Sequence, residues 1–347
     1  MNSPLSDYLS YSLQHYTQWK AFSGTIGSAI AFKSEVPGVL LITPIAEQTP
    51  CKRIILSCGI HGNETAPIEI CNALIRDIYE EKLSCQHELM FVFGNLPAMQ
   101  IAKRFVDENL NRLFDPEAST LSGLLEEEAN QDMLNLEEHR ALVLKHAVDN
   151  FFSNASSEQQ LIHYDLHTAI RPSKNEKFAV YPYLHGRPYC KEQLQFLSDC
   201  GVNTILLSQT PATTFSYYSS RKFGAHAFTV ELGKVKPFGE NDMASFTAVT
   251  HMLAQLIKKE AVRISKYEDC PLEIFTVNQV INKTKDDFSL HFSDDAANFT
   301  AFKKGEVLAS ESGAEYCAEY DGEAIVFPNA QVALGQRALL TVIPCEL

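Results

Sequence analysis

The stretch Ser57-Cys-Gly-Ile-His-Gly-Asn-Glu-Thr-Ala-Pro67 decides how this chain is read. The run before His61, Arg53-Ile-Ile-Leu-Ser57, predicts a strand. The run after Glu64, Pro67-Ile-Glu-Ile-Cys-Asn-Ala-Leu-Ile75, predicts a helix. Gly59 and Gly62 allow the backbone to bend sharply between them, and Asn63, Thr65 and Pro67 suit a helix start. His61 and Glu64 therefore stand at the carboxyl end of a strand, where α/β sheets bind ligands. By itself the H-x-x-E spacing reads either as half of a metal site or as a solvated turn.

A catalytic metal needs a third protein ligand. Leu161-Ile-His-Tyr-Asp-Leu-His-Thr168, read as a strand, puts His163, Asp165 and His167 on one face and Ile162, Tyr164 and Leu166 on the other. His167 is the candidate ligand, with Asp165 as its polar support; His163 reads as a structural histidine. Two imidazoles and one carboxylate form a zinc set that leaves a position open. The pattern is neither H-E-x-x-H nor H-x-x-E-H, because Thr65 follows Glu64.

Glu231 interrupts the apolar run Ala227-Phe-Thr-Val-Glu-Leu-Gly-Lys234. A carboxylate there is costly unless it is paired or used, so it is ion-paired structure or a functional base. Arg104, Asn111 and Arg112 lie in a short polar segment flanked by Phe105 and Phe114, and Arg221 in a segment rich in Ser, Thr and Tyr, read as a loop. Guanidinium forks suit carboxylates, and these residues matter if they converge on one pocket.

The rest of the chain frames that site. Its 347 residues suggest two domains, and 45% hydrophobic with 21% charged residues is ordinary globular composition. Strands are predicted at Glu88–Phe93 and near 161–167, 177–183, 203–208 and 226–232, and helices near 190–200 and 242–262. Val143, Leu144, Ala147, Val148 and Phe151 recur at helical spacing inside an acidic stretch, 115–160, whose Glu126-Glu-Glu run reads as a solvated face. The alternation predicts an α/β fold, a mostly parallel or mixed sheet with helices on both faces. After about residue 265 short β-patterned runs separated by Gly, Asn and Asp predict a small all-β domain, giving domains 1–265 and 266–347.

A net charge of −14 argues against nucleic acid or an anionic membrane surface as partner. No apolar stretch approaches the ~18 residues of a membrane span, and the N-terminus does not read as a secretory signal. Nine cysteines without a C-x-x-C pair read as free thiols in a reducing cytosol.

Gly59-Ile-His-Gly-Asn-Glu-Thr-Ala-Pro67, Asp165-Leu-His-Thr-Ala169, Asn109-Leu-Asn-Arg-Leu-Phe114 and Thr229-Val-Glu-Leu-Gly-Lys234 together resemble the desuccinylase/aspartoacylase family, relatives of the zinc carboxypeptidases. The likeness runs from about residue 50 to 265 and extends weakly into the tail at 302–309 and 326–335. It implies a zinc-carboxypeptidase-like catalytic domain with one Zn2+ held by His61, Glu64 and His167. It implies Glu231 as general base, Arg104 as the group polarising the scissile carbonyl, and Asn111 and Arg112 as the grip on a substrate carboxylate, with Arg221 as a further carboxylate-binding arginine. The implied reaction is cytoplasmic hydrolysis of the small anionic substrate N-succinylglutamate, in arginine catabolism by the succinyltransferase route. An aspartoacylase-like deacylase of another N-acyl amino acid is the nearest alternative, ahead of a peptidase or a non-catalytic metal-binding relative. The segment Asp107-Glu-Asn-Leu110 departs from the family's spelling. The tail can lend a residue to the pocket rim, with Tyr316 and Tyr320 as candidates. Lys303 and Lys304 precede Gly305 and do not suit a lipoyl-carrier tip, so the tail reads as structural or gating. A homo-oligomer is left open.

Overall fold

The computed structural model describes residues 3–45, 51–118, 134–258 and 262–347. Its strands are β1 (Phe22–Ile26), β2 (Ile30–Ser34), β3 (Val39–Pro44), β4 (Lys52–Cys58), β5 (Glu88–Phe93), β6 (Gln160–Ala169), β7 (Phe178–Tyr181), β8 (Thr204–Leu207), β9 (His226–Lys234), β10 (Glu273–Asn282), β11 (Ser289–Leu290), β12 (Thr300–Phe302), β13 (Val307–Glu311), β14 (Ala314–Cys317), β15 (Glu323–Val326) and β16 (Arg337–Pro344). The helices are α1 (Tyr8–His15), α2 (Thr65–Tyr79), α3 (Leu96–Gln100), α4 (Leu136–Ser153), α5 (Lys191–Asp199), α6 (Phe215–Phe223) and α7 (Thr247–Lys258).

Thirteen strands form one mixed sheet in the order β1-β2-β3-β5-β4-β6-β9-β7-β8-β10-β16-β15-β12. Its centre is parallel, β5-β4-β6-β9, and that centre carries the site. The tail is β-rich as expected. Its strand β10 runs parallel to β8, so the tail extends the central sheet, and β11, β13 and β14 form a small sheet beside it.

Strand alternation separates two cores. Ile54, Leu56, Ile162, Tyr164 and Leu166 pack with α1, α2, α5 and α7, while Ile55 faces the other way and packs with α4 and α6. Each such buried side chain contributes roughly 1.5–3 kcal/mol. In α2, Ile68, Cys71, Ile75 and Ile78 line one face at helical spacing and are all buried. Helix α4 starts at a capping box in which Asn135 and Glu138 satisfy each other's backbone donors.

Three helices were not legible in the sequence: α1, the short α3 and α6. Residues 215–223, read as a loop, form α6: Thr214 Oγ1 accepts from Tyr217 N at its start, and Gly224 in the left-handed region, φ 70°, ends it. Its serines, which suggested a loop, are buried instead and bond inward. Helix α1 sits in the lead-in, capped by Asp7. The acidic run at 126–128 lies outside the described residues.

Candidate active site

Strand β4 ends at Cys58, and the turn to α2 carries His61 and Glu64. A Cβ on Gly62 would lie 2.3 Å from the backbone of Ala98 and Met99, so only glycine lets this turn pass α3. Strand β6 delivers His167 from the neighbouring position. His61, Glu64 and His167 are all buried, and one ligand atom from each lies within 4.8 Å of the others.

The hydrogen bonds fix what each group presents. Asn109 Oδ1 accepts from Asn111 N at 3.0 Å, and the same oxygen sits 2.9 Å from His61 Nε2. That ring nitrogen therefore carries hydrogen, leaving the lone pair of Nδ1 aimed at Glu64 Oε1, 2.8 Å away. Likewise His167 Nε2 donates to Asp165 Oδ2 at 2.9 Å, and Nδ1 faces Glu64 Oε2 at 2.8 Å. Two imidazole rings and a carboxylate thus converge in a buried space, an arrangement suited to holding a cation among them. The donor set fits a divalent metal such as zinc.

Burial and neighbouring charge set the ionisation of these groups. Burial, followed by the Arg104 charge, lowers the His61 pKa to about 4, so this ring stays neutral. Burial also works against a charged His167, but Asp165 and Glu64 outweigh it and hold its pKa well above the ordinary value. Burial would raise Glu64; the two histidines beside it hold it well below the carboxylate range.

Glu231 lies on β9 in register with His167, and its Oε2 is buried with no hydrogen-bond partner among the described residues. Burial, then the charge on Glu64, pushes its pKa up to about 7. Just beyond it β9 takes up an extra residue relative to β6, with Gly233 at φ 125°.

The arginines divide. Arg104 Nη1 donates to Glu64 Oε1 at 2.7 Å, and its carbonyl receives Gly62 N. Arg112 Nη1 donates to the Asn111 carbonyl at 2.8 Å and forms no ion pair with a described carboxylate; burial, then Arg104, lowers its pKa to about 10. Asn111 Oδ1 accepts from Phe215 N at the start of α6, which leaves Nδ2 as its free end. Arg221 lies on the exposed surface of α6 and pairs with Glu117 at 3.2 Å. Of the two tail tyrosines, Tyr316 donates to Glu311, and Tyr320 is 51% exposed.

Sequence reading missed several supports. Ser57 donates to Asp165 Oδ1 at 2.5 Å and lies 2.8 Å from His163 Nε2; His163 Nδ1 meets Ser219 of α6 at 2.7 Å. His163 is therefore a strut between β4, β6 and α6. Buried Glu137 accepts from the backbone N–H groups of Val106, Asp107 and Glu108 and from Asn95. That one carboxylate shapes the segment carrying Arg104 to Arg112. Its available signal was an acid in the first turn of a capped helix.

The sequence profile of the Succinylglutamate desuccinylase/Aspartoacylase catalytic domain matches residues 50–257, and that of the AstE/AspA barrel-sandwich hybrid domain matches 270–345. The succinylglutamate desuccinylase of Pseudoalteromonas atlantica is 52% identical over 339 residues, covering 98% of this chain and 90% of the relative. That of Idiomarina loihiensis is 46% identical over 347 residues, covering 99% and 97%. Among solved structures, succinylglutamate desuccinylase from Vibrio cholerae superposes with a TM-score of 0.85 at 34% identity, over 97% of this chain and 94% of that one. The Chromobacterium violaceum enzyme gives 0.83 at 33%, over 100% and 99%. Motifs, fold and full-length likeness agree, and the chain belongs to the succinylglutamate desuccinylase/aspartoacylase family.

Proposed function

We propose that the chain hydrolyses N-succinylglutamate to succinate and glutamate, using one zinc ion held by His61, Glu64 and His167. The observation that carries this reading is the convergence of three acceptor groups beside Glu231, a buried carboxylate with an unpartnered oxygen. Full-length relatives of the same name support the substrate.

Zinc, when bound there, supplies Lewis acidity, which makes water more acidic and polarises a carbonyl oxygen. Glu231 takes the proton of the attacking water at its carboxylate. As oxygen adds to the succinyl carbon, Arg104 donates to the carbonyl oxygen on which charge develops. Glu231 then passes its proton to the leaving nitrogen as the C–N bond breaks, so the carboxylate is restored. Arg112 and the Nδ2 end of Asn111 hold a substrate carboxylate. Arg221 adds a second such contact by exchanging its exposed Glu117 partner, a pair worth at most about 1 kcal/mol. The substrate is a trianion in a protein of net charge −14, which is why guanidinium groups line its site. The reading keeps a catalytic part, 1–265, and a β-rich part, 266–347. It places the enzyme in the cytoplasm, in arginine catabolism by the succinyltransferase route, consistent with nine free cysteines.

The test is amine release from matched N-succinyl and N-acetyl amino acids, before and after chelation and zinc return. N-succinylglutamate is expected as the best substrate, with activity lost on chelation and restored by zinc. Preference for an N-acetyl substrate would replace this reading by the aspartoacylase-like one.

A further inference from the structure

Arg337 is the first residue of β16, paired with Asn282 where the β10–β16 ladder shifts register. Its guanidinium carbon lies 5.4 Å from the centre of the Phe327 ring. Phe327 packs on Phe178 with centroids 5.5 Å apart, and Phe178 is the cross-strand neighbour of Glu231. The tail thus reaches the catalytic carboxylate through two rings. Arg337 Nε is buried without a hydrogen-bond partner, and the side chain enters no ion pair among the described residues.

The support beneath it is rigid. Phe327 and Phe299 both hold left-handed backbone, φ 53° and 63°, uncommon for bulky residues and a conformation that collects at functional sites. Both pack on Phe178. Buried Asn298 accepts from Phe327 N through its side chain, while its backbone bonds Pro172 and Lys174 in the loop that follows His167. One residue therefore ties the Arg337 platform to the strand carrying the ligand.

We propose that Arg337 is the residue the tail contributes to the substrate site, binding one of the three carboxylates of the substrate alongside Arg112. This rests on the reaction proposed above. Burial lowers the Arg337 pKa to about 9, with Arg112 and Arg104 adding to the effect and Glu231 opposing it, so these charges already act on one another. A guanidinium nitrogen buried without a partner is costly unless a ligand supplies one. Arg104, Arg112 and Arg337 are near enough for their charges to interact, which suits a multiply charged anion. Neither tail tyrosine is placed this way.

The experiment uses the full-length, zinc-loaded protein carrying Glu231→Gln, with and without Arg337→Met, and measures Kd calorimetrically. The ligands are N-succinylglutamate and three analogues, each lacking one carboxylate: N-butanoylglutamate, N-succinyl-4-aminobutanoate and N-succinylnorvaline. Arg337→Met is expected to weaken N-succinylglutamate by about 10- to 100-fold, the loss of a charge-assisted contact. The weakening should vanish for one analogue alone. The ligand-free Tm should stay level or rise, since an uncompensated charge has been removed, whereas a structural role would lower it. Equal Kd with and without Arg337, or the same weakening for all four ligands, overturns the proposal. Failure of the Arg337-intact protein to bind N-succinylglutamate overturns the parent reading and this one together, so the two failures are distinguishable.

Discussion

Glu231 and His167 are in-register neighbours on adjacent parallel strands, both buried on the same face of the sheet. Strands β6 and β9 pair directly, so the separation of His167 and Glu231 is set by the sheet and not by loops. Paired strands hold side chains more precisely than loops do.

Replacing Glu231 with Gln keeps its volume and removes the proton acceptor. Turnover should fall by a factor on the order of 10³ or more, since the base acts in both addition and collapse. Bound zinc, counted by elemental analysis, should stay at one per chain. Near-normal turnover would mean that another group takes the proton.

Asp165 holds His167 by the nitrogen opposite the metal-facing one. Asp165→Asn loses the carboxylate that favours the Nε2–H tautomer. Zinc affinity should weaken by about 10- to 100-fold, measured by competition with a chromogenic chelator. Unchanged affinity would reduce Asp165 to packing.

Arg112→Met should raise KM for N-succinylglutamate by about tenfold or more while altering kcat less. Its cation has no carboxylate partner among the described residues, so the ligand-free protein should not lose stability. A lowered Tm with an unchanged KM would make it structural.

Glu137→Gln replaces a buried acceptor of four hydrogen bonds by a poorer one. The loss should be about 2–4 kcal/mol in denaturant unfolding. Amide exchange at Val106, Asp107 and Glu108 should accelerate, because their N–H groups lose their acceptor. Unaltered protection there would show that other contacts shape the segment.

Glu323 in the tail supplies a pH dependence. Burial would raise its pKa, but hydrogen bonds from Thr341, Asn278, Gln279 and the Glu319 backbone prevail and hold it below 4.5. A depressed carboxylate stabilises the fold fully above its unfolded value and progressively less as pH falls through the folded one. Glu323→Gln should therefore lower Tm at neutral pH and flatten its fall below about pH 4.5. Parallel melting curves against pH for both proteins would contradict this.

The ligand set was legible because each group announces itself locally. A strand–glycine turn–helix places His61 and Glu64, and the period of two places Asp165 and His167 on one face of a strand. Those facts need only backbone geometry and short-range spacing. The α/β pattern was legible too, since buried β4 reads as a short apolar run and α2 carries its apolar residues at helical spacing.

What only the tertiary structure decided is which distant groups meet. Asn109 orienting His61, Glu137 gathering the 106–108 backbone, Arg221 turning to Glu117 and Arg337 arriving from the tail all depend on contacts between elements far apart in the chain. The amino-acid order determined the chemistry available to this protein, because residue type and local period are properties of the chain itself. The sheet order, which pairs β6 with β9 and carries the tail past β8, decided which of those groups share one buried space, because long-range packing is written in complementarity of surfaces and not in spacing.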